Sequence, residues 1–127
     1  MKKKNYLNNY NLSNKLVFVI GGNGQIGSET INALIECNAK VISLDKKKSK
    51  TNNKNYIYKF FDCTKLNSIQ NNLTKLVKKY GCPDILINTS YPTSKNWSKN
   101  NFTDIKLKDL QKEINFQLIS YCWISKI

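Results

Sequence analysis

The sequence predicts an α/β fold, a doubly wound parallel sheet with helices on both faces. Three observations carry this reading. Four short apolar runs, Leu16–Ile20, residues 40–44, Tyr56–Phe60 and residues 84–88, have the length and composition of strands. Segments of helical periodicity follow the first and third runs, and another closes the chain. Three closely spaced glycines, Gly21, Gly24 and Gly27, interrupt the chain between the first strand and the first helix. An alternation of β-α-β, loop, β-α-β-α requires right-handed crossovers, and it predicts the strand order 3-2-1-4.

Residues 1–14 are polar and rich in Lys and Asn, and they predict a loose N-terminal arm ahead of a domain over 15–127. Leu16–Ile20 is continuously apolar, as in a strand covered on both faces. Beyond the glycines, Ile26, Ile31, Leu34 and Ile35 mark one helix face that ends near Cys37 or Asn38. The second strand closes on Asp45 and a lysine cluster, and residues 46–55 read as loop. The third strand stops at Asp62-Cys63-Thr64. The clearest helix covers 65–80, where Leu66, Ile69, Leu73, Leu76, Val77 and Tyr80 recur at spacings of three and four, with Thr64 as its N-cap. Gly81-Cys82-Pro83 ends it before the fourth strand. After a polar loop to about Thr103, a last helix sets Leu107, Leu110, Ile114, Leu118 and Tyr121 on one stripe.

The order strand, glycine turn, helix is what lays a dinucleotide pyrophosphate on a helix N-terminus. Gly21 turns the chain off the strand, Gly24 lets the backbone approach phosphate oxygens, and Gly27 lets the helix pack on the sheet. The unpaired amides of the first helical turn then supply donors and partial positive charge. Asp45 follows Gly27 by 18 positions and ends the second strand. A carboxylate there accepts the ribose hydroxyls and repels a 2′-phosphate, which favours NAD. Lys46, Lys47 and Lys48 keep NADP possible, and the bland alternative for Asp45 is a strand-end turn residue.

At 127 residues the chain is one domain's worth. No apolar run approaches a membrane span, and the basic start lacks the apolar core of a secretory signal, so a cytoplasmic location is expected. The net charge of +13 comes from cations that are all lysine, without a single arginine, which argues against nucleic-acid binding as the main function. Cys37, Cys63, Cys82 and Cys122 are irregularly spaced and no histidine accompanies them, so no metal site is expected. They read as reduced thiols, mostly filling core.

Taken together, the motifs over about residues 12–127 resemble the short-chain dehydrogenase/reductase family. The glycine turn is similar to the family's nucleotide turn, with Ile20 where threonine is usual. Asp62-Cys63-Thr64 resembles its acidic motif after strand three, which contacts adenine. Residues 84–92 resemble its strand-four motif, with Asn88 at the first asparagine and departures at Thr89, Ser90 and Tyr91. Tyr91-Pro92, followed by Lys95-Asn96-Trp97, is similar to a subgroup linked to flagellin and surface-polysaccharide sugar modification. The closing segment 113–121 resembles the helix that carries the active-site asparagine, here Asn115.

The resemblance implies a Rossmann-like NAD(P)-dependent oxidoreductase that moves hydride between nicotinamide and an alcohol or ketone. It implies that Gly21, Gly24, Gln25, Ile26, Gly27 and Asp45 hold the cofactor, that Asp62 and Cys63 meet the adenine, that Asn88 buttresses the central strands, and that Asn115 is catalytic through a proton relay. The family's catalytic serine and helical Tyr-x-x-x-Lys pair are absent. The string from Tyr91 to Lys95 falls in a loop, where Pro92 opposes a helix. The expectation is therefore a truncated fold, the cofactor-binding half of a longer reductase, inactive alone, with its fourth strand an open edge prone to association. A non-catalytic dinucleotide-binding module or remnant is the alternative. A sugar-nucleotide epimerase or dehydratase fragment is a further one, which the double glycine of the turn suits.

Overall fold

The fold is described from a computed structural model over residues 10–49, 51–94, 97 and 101–126. Strands β1 (Leu16–Ile20), β2 (Lys40–Asp45), β3 (Tyr56–Phe60) and β4 (Ile85–Asn88) form one parallel sheet in the order β3-β2-β1-β4. The order 3-2-1-4 read from the sequence is the observed one. Phe18 sits between Ile42 and Leu86, which fixes the register across the centre.

Alternation along the strands builds two cores. Val17, Val19 and Val41 face helix α1 (Gln25–Glu36) and pack with Ile31 and Ala39. Phe18, Ile20, Ile42 and Leu44 face the other way, where Ile69 and Leu73 of helix α2 (Leu66–Tyr80) and Ile124 cover them. The near-continuous apolar strands follow from this burial on both sides. Beyond the C-cap Cys37 of α1, Asn38 takes the left-handed conformation with φ of 68° while the Ala39 N–H returns to the Leu34 carbonyl.

The last helix has three parts: α3 (Leu107–Ile114), a π turn (Asn115–Ile119) and α4 (Ser120–Lys126). Its inward face is not the predicted stripe. Leu107, Leu110, Ile114 and Leu118 are exposed, Tyr121 is half-buried, and Glu113, Ser120 and Ile124 are the buried residues. The π turn shifts the helix face in mid-course, and the Ser120 hydroxyl bonds to the carbonyls of Phe116 and Gln117.

Of the arm expected over residues 1–14, residues 1–9 lie outside the described residues, and in the remainder Leu12 packs on the α1 side, with its N–H reaching the Cys37 carbonyl at 2.7 Å. Two other expectations are corrected. Thr64 does not cap α2, because its hydroxyl and N–H both go to the Asp62 carboxylate and Lys65 stands at the cap position. The cysteines are all free thiols, yet only Cys63 is buried, and Cys82 and Cys122 are exposed. Among the described residues no helix is long and apolar enough to cross a membrane.

Candidate functional site

At the carboxyl rim of the sheet, Gly21 extends the ladder by donating its N–H to the Leu44 carbonyl at 2.8 Å and then turns away with φ of +74°. A Cβ at Gly21 would stand 2.6 Å from the Ser90 backbone, so the loop after β4 can approach only because that carbon is missing. A Cβ at buried Gly27 would collide with the Gly21 carbonyl, and the turn closes against α1 for the same reason. Gly24 is the N-cap of α1 and offers no side-chain acceptor. The amides of the first turn are thus left without a side-chain cap, at the positive end of the helix dipole.

A cavity of about 600 Å³ opens in front of this helix end. Of the residues expected to hold a cofactor, Gly21, Gly24, Gln25, Ile26, Asp45 and Cys63 line it. Lys46, Lys47, Thr64, the segment from Thr89 to Thr93 and the apolar side chains of Ile20, Leu44 and Phe61 complete its wall. Gly27, Asp62 and Asn88 do not line it. Asn115 is exposed and does not line it.

The carboxylate of Asp45 accepts the N–H of Asn23 at 3.0 Å and that of Lys47 at 2.9 Å. Asn23 in turn accepts the hydroxyls of Ser43 at 2.9 Å and Tyr56 at 3.0 Å, and donates to the Lys47 carbonyl. This network pins the 45–47 turn against the glycine turn. Asp62 holds Thr64 through bonds of 2.7 and 3.0 Å and pairs with Lys46 at 3.7 Å. Burial alone would raise the Asp62 carboxyl, but the Thr64 bonds and the Lys46 and Lys65 charges bring it below the ordinary aspartate value. Burial pushes the Cys63 thiol up.

After β4, the Thr89 hydroxyl donates to the carbonyls of Ile20 at 3.0 Å and Gly21 at 3.1 Å. Asn88 accepts the N–H and hydroxyl of Ser90, so it shapes the turn that leaves its strand. The Tyr91–Lys95 string is not helical through Ser94, and Lys95 lies outside the described residues, as does Asn96. Sequence reading missed Asn23 and Thr89 as organisers of the site. Asn23 is one of two polar residues within the glycine turn and Thr89 is the first departure from the strand-four motif, but neither feature reveals the contacts these residues make.

A parallel sheet of this order, with a glycine turn and an open helix end at its carboxyl rim, defines an NAD(P)-binding Rossmann-type fold. Residues 17–122 match the model of the NAD dependent epimerase/dehydratase family, and the chain belongs to that family.

Among solved structures, it is similar to a short-chain dehydrogenase from Leptospira borgpetersenii with bound NAD+: 26% identity, TM-score 0.78, covering 99% of this chain and 48% of that one. A ligand-free aldohexose dehydrogenase from Thermoplasma acidophilum follows at 22% identity and TM-score 0.75, over 91% of this chain and 43% of that one. ElxO with NADPH bound has 21% identity and TM-score 0.73, over 88% of this chain and 48% of that one. These last two show the shared fold alone. A search of curated proteins finds no match. The chain spans about half the length of the solved structures it matches.

Proposed function

We propose that this chain is the dinucleotide-binding half of an NAD(P)-dependent oxidoreductase of the short-chain dehydrogenase/reductase type, taking NAD in preference to NADP. The observation that carries the reading is the cavity at the α1 N-terminus, with Asp45 on its wall. A pyrophosphate would meet the open amides of Gln25 and Ile26, with Gly21 and Gly24 giving the clearance. The adenosine ribose would reach Asp45, and the adenine would lie by Cys63, with Asp62 fixing that corner from behind. Asn88 supports the wall through Ser90, and Asn115 would serve a proton relay only in a longer protein.

A negative carboxylate at the ribose disfavours a 2′-phosphate, while Lys46 is drawn toward Asp62 and offers it a weaker partner. The 127 residues by themselves are expected to bind without turnover, because their one Tyr-x-x-x-Lys string, Tyr91 to Lys95, is not helical through Ser94 and does not supply the helical pair that the resemblance implies. The Tyr91-Pro92 and Trp97 similarity supports a sugar-linked substrate for the whole enzyme. The family match favours a second reading, the cofactor half of an epimerase or dehydratase, which would use the same cavity.

Titration with NADH, followed by its fluorescence, tests the proposal. Saturable binding that NAD+ reverses, without NADH consumption when sugars or simple ketones are added, is the expected result. Turnover by this chain alone would overturn the inactive-half reading.

A further inference from the structure

The loop whose residues 90–93 line the cavity is held at Ser90 and at Ser94, just beyond the lining, by the last helix. The Tyr121 hydroxyl donates to the Ser90 carbonyl at 2.6 Å, and the Glu113 Oε1 accepts the Ser94 N–H at 2.9 Å. Glu113 is only 3% exposed, and its Oε2 has no hydrogen-bond partner among the described residues. A buried carboxylate is a costly side chain at a helix–loop contact, and its one described bond goes to the loop.

The two anchors are eight residues apart, which would set them about 80° around an uninterrupted α-helix. The π turn at Asn115–Ile119 lies between them and takes up part of that rotation, so both reach one loop. Between the anchors run Tyr91, Pro92 and Thr93, all lining the cavity. Trp97 Nε1 donates to the Tyr91 hydroxyl at 3.2 Å and adds a link on the outer side.

We infer that Glu113 and Tyr121 are positioning residues, a two-point clasp that fixes the 90–94 rim and thereby sets the affinity of the cavity. The effect on affinity rests on the dinucleotide reading above, whereas the clasp itself does not. Neither side chain lines the cavity, so neither acts by touching the ligand.

The test uses the whole 127-residue chain and two readouts, backbone amide exchange at Ser94 and NADH affinity by fluorescence. Glu113→Ala is expected to speed Ser94 exchange at least about tenfold and to weaken NADH by about as much. Glu113→Gln keeps an oxygen acceptor and is expected to restore both, and Tyr121→Phe to weaken NADH with a smaller effect at Ser94. Exchange at Ser94 that is the same in Glu113→Ala and wild type overturns the clasp. Faster exchange with unchanged NADH affinity overturns the positioning role. If the wild type binds no NADH while Ser94 still responds, the dinucleotide reading fails and the clasp stands. Far-ultraviolet circular dichroism confirms that each variant is folded, and should Glu113→Ala fail to fold, Tyr121→Phe carries the test, an unchanged NADH affinity there overturning the positioning role.

Discussion

Asp45 accepts the backbone N–H of Asn23 at 3.0 Å, a bond that ties the end of β2 to the glycine turn across the mouth of the cavity. The same carboxylate holds the Lys47 N–H, so its two oxygens are aimed before any ligand arrives. A carboxylate oxygen has a second lone pair, and the ribose hydroxyls can use it. Replacing Asp45 with Asn keeps acceptor capacity and removes the negative charge. NADPH affinity relative to NADH is then expected to rise about tenfold, a change of about 1.4 kcal/mol. Paired fluorescence titrations measure the ratio, and an unchanged ratio contradicts the role given to Asp45.

Asn23 is the hub behind that arrangement. In Asn23→Ala, the fully buried Ser43 hydroxyl and the Tyr56 hydroxyl both lose their acceptor. A loss of about 1–3 kcal/mol in unfolding free energy is expected, together with weaker NADH binding. Urea denaturation gives the first quantity. A midpoint equal to that of the wild type would show that these bonds stabilise nothing.

Asp62 gives the stability a pH signature. Its folded value lies below the ordinary aspartate value, so the folded state binds fewer protons than the unfolded chain across that interval. The stabilisation is present above the unfolded value, about 3.9 for aspartate, and is lost as pH falls toward the folded one. Asp62→Asn is expected to flatten this part of the acid limb. Melting curves between about pH 6 and pH 3 read the difference between variant and wild type. Parallel curves down to the lowest pH would remove Asp62 from the account.

Strand β4 pairs with β1 on one side and, among the described residues, with nothing on the other. Leu86 on that edge is 39% exposed. The isolated chain is expected to self-associate as its concentration rises, and Leu86→Lys to reduce this, because a charged edge resists strand addition. Sedimentation velocity over a range of loadings decides. A wild type that stays one small species at every loading contradicts the open-edge reading.

Much of this was legible in the sequence because the strands are covered on both faces. Continuous apolar runs such as Leu16–Ile20 separate cleanly from the amphipathic period of α2, and the glycine turn fixes which element follows which. Where one bond decides, the sequence was silent. Thr64 has the chemistry of an N-cap, but Asp62 two positions earlier competes for its hydroxyl and wins. The last helix misled for a different reason. Leu107, Leu110, Ile114 and Leu118 keep a helical period, but nothing in that period reveals a π turn or says which face meets the sheet. Asn23 and Thr89 organise the site through contacts with residues distant in sequence, which spacing does not encode.

The central claim is that the amides at the start of α1 receive a pyrophosphate. Adding NAD+ to the nitrogen-15-labelled chain and following its amide resonances tests this most directly. The account predicts saturating shifts concentrated at Gly24, Gln25 and Ile26, with smaller ones near Asp45 and Ser90. Saturating shifts elsewhere, or none in a folded sample at millimolar NAD+, would contradict it.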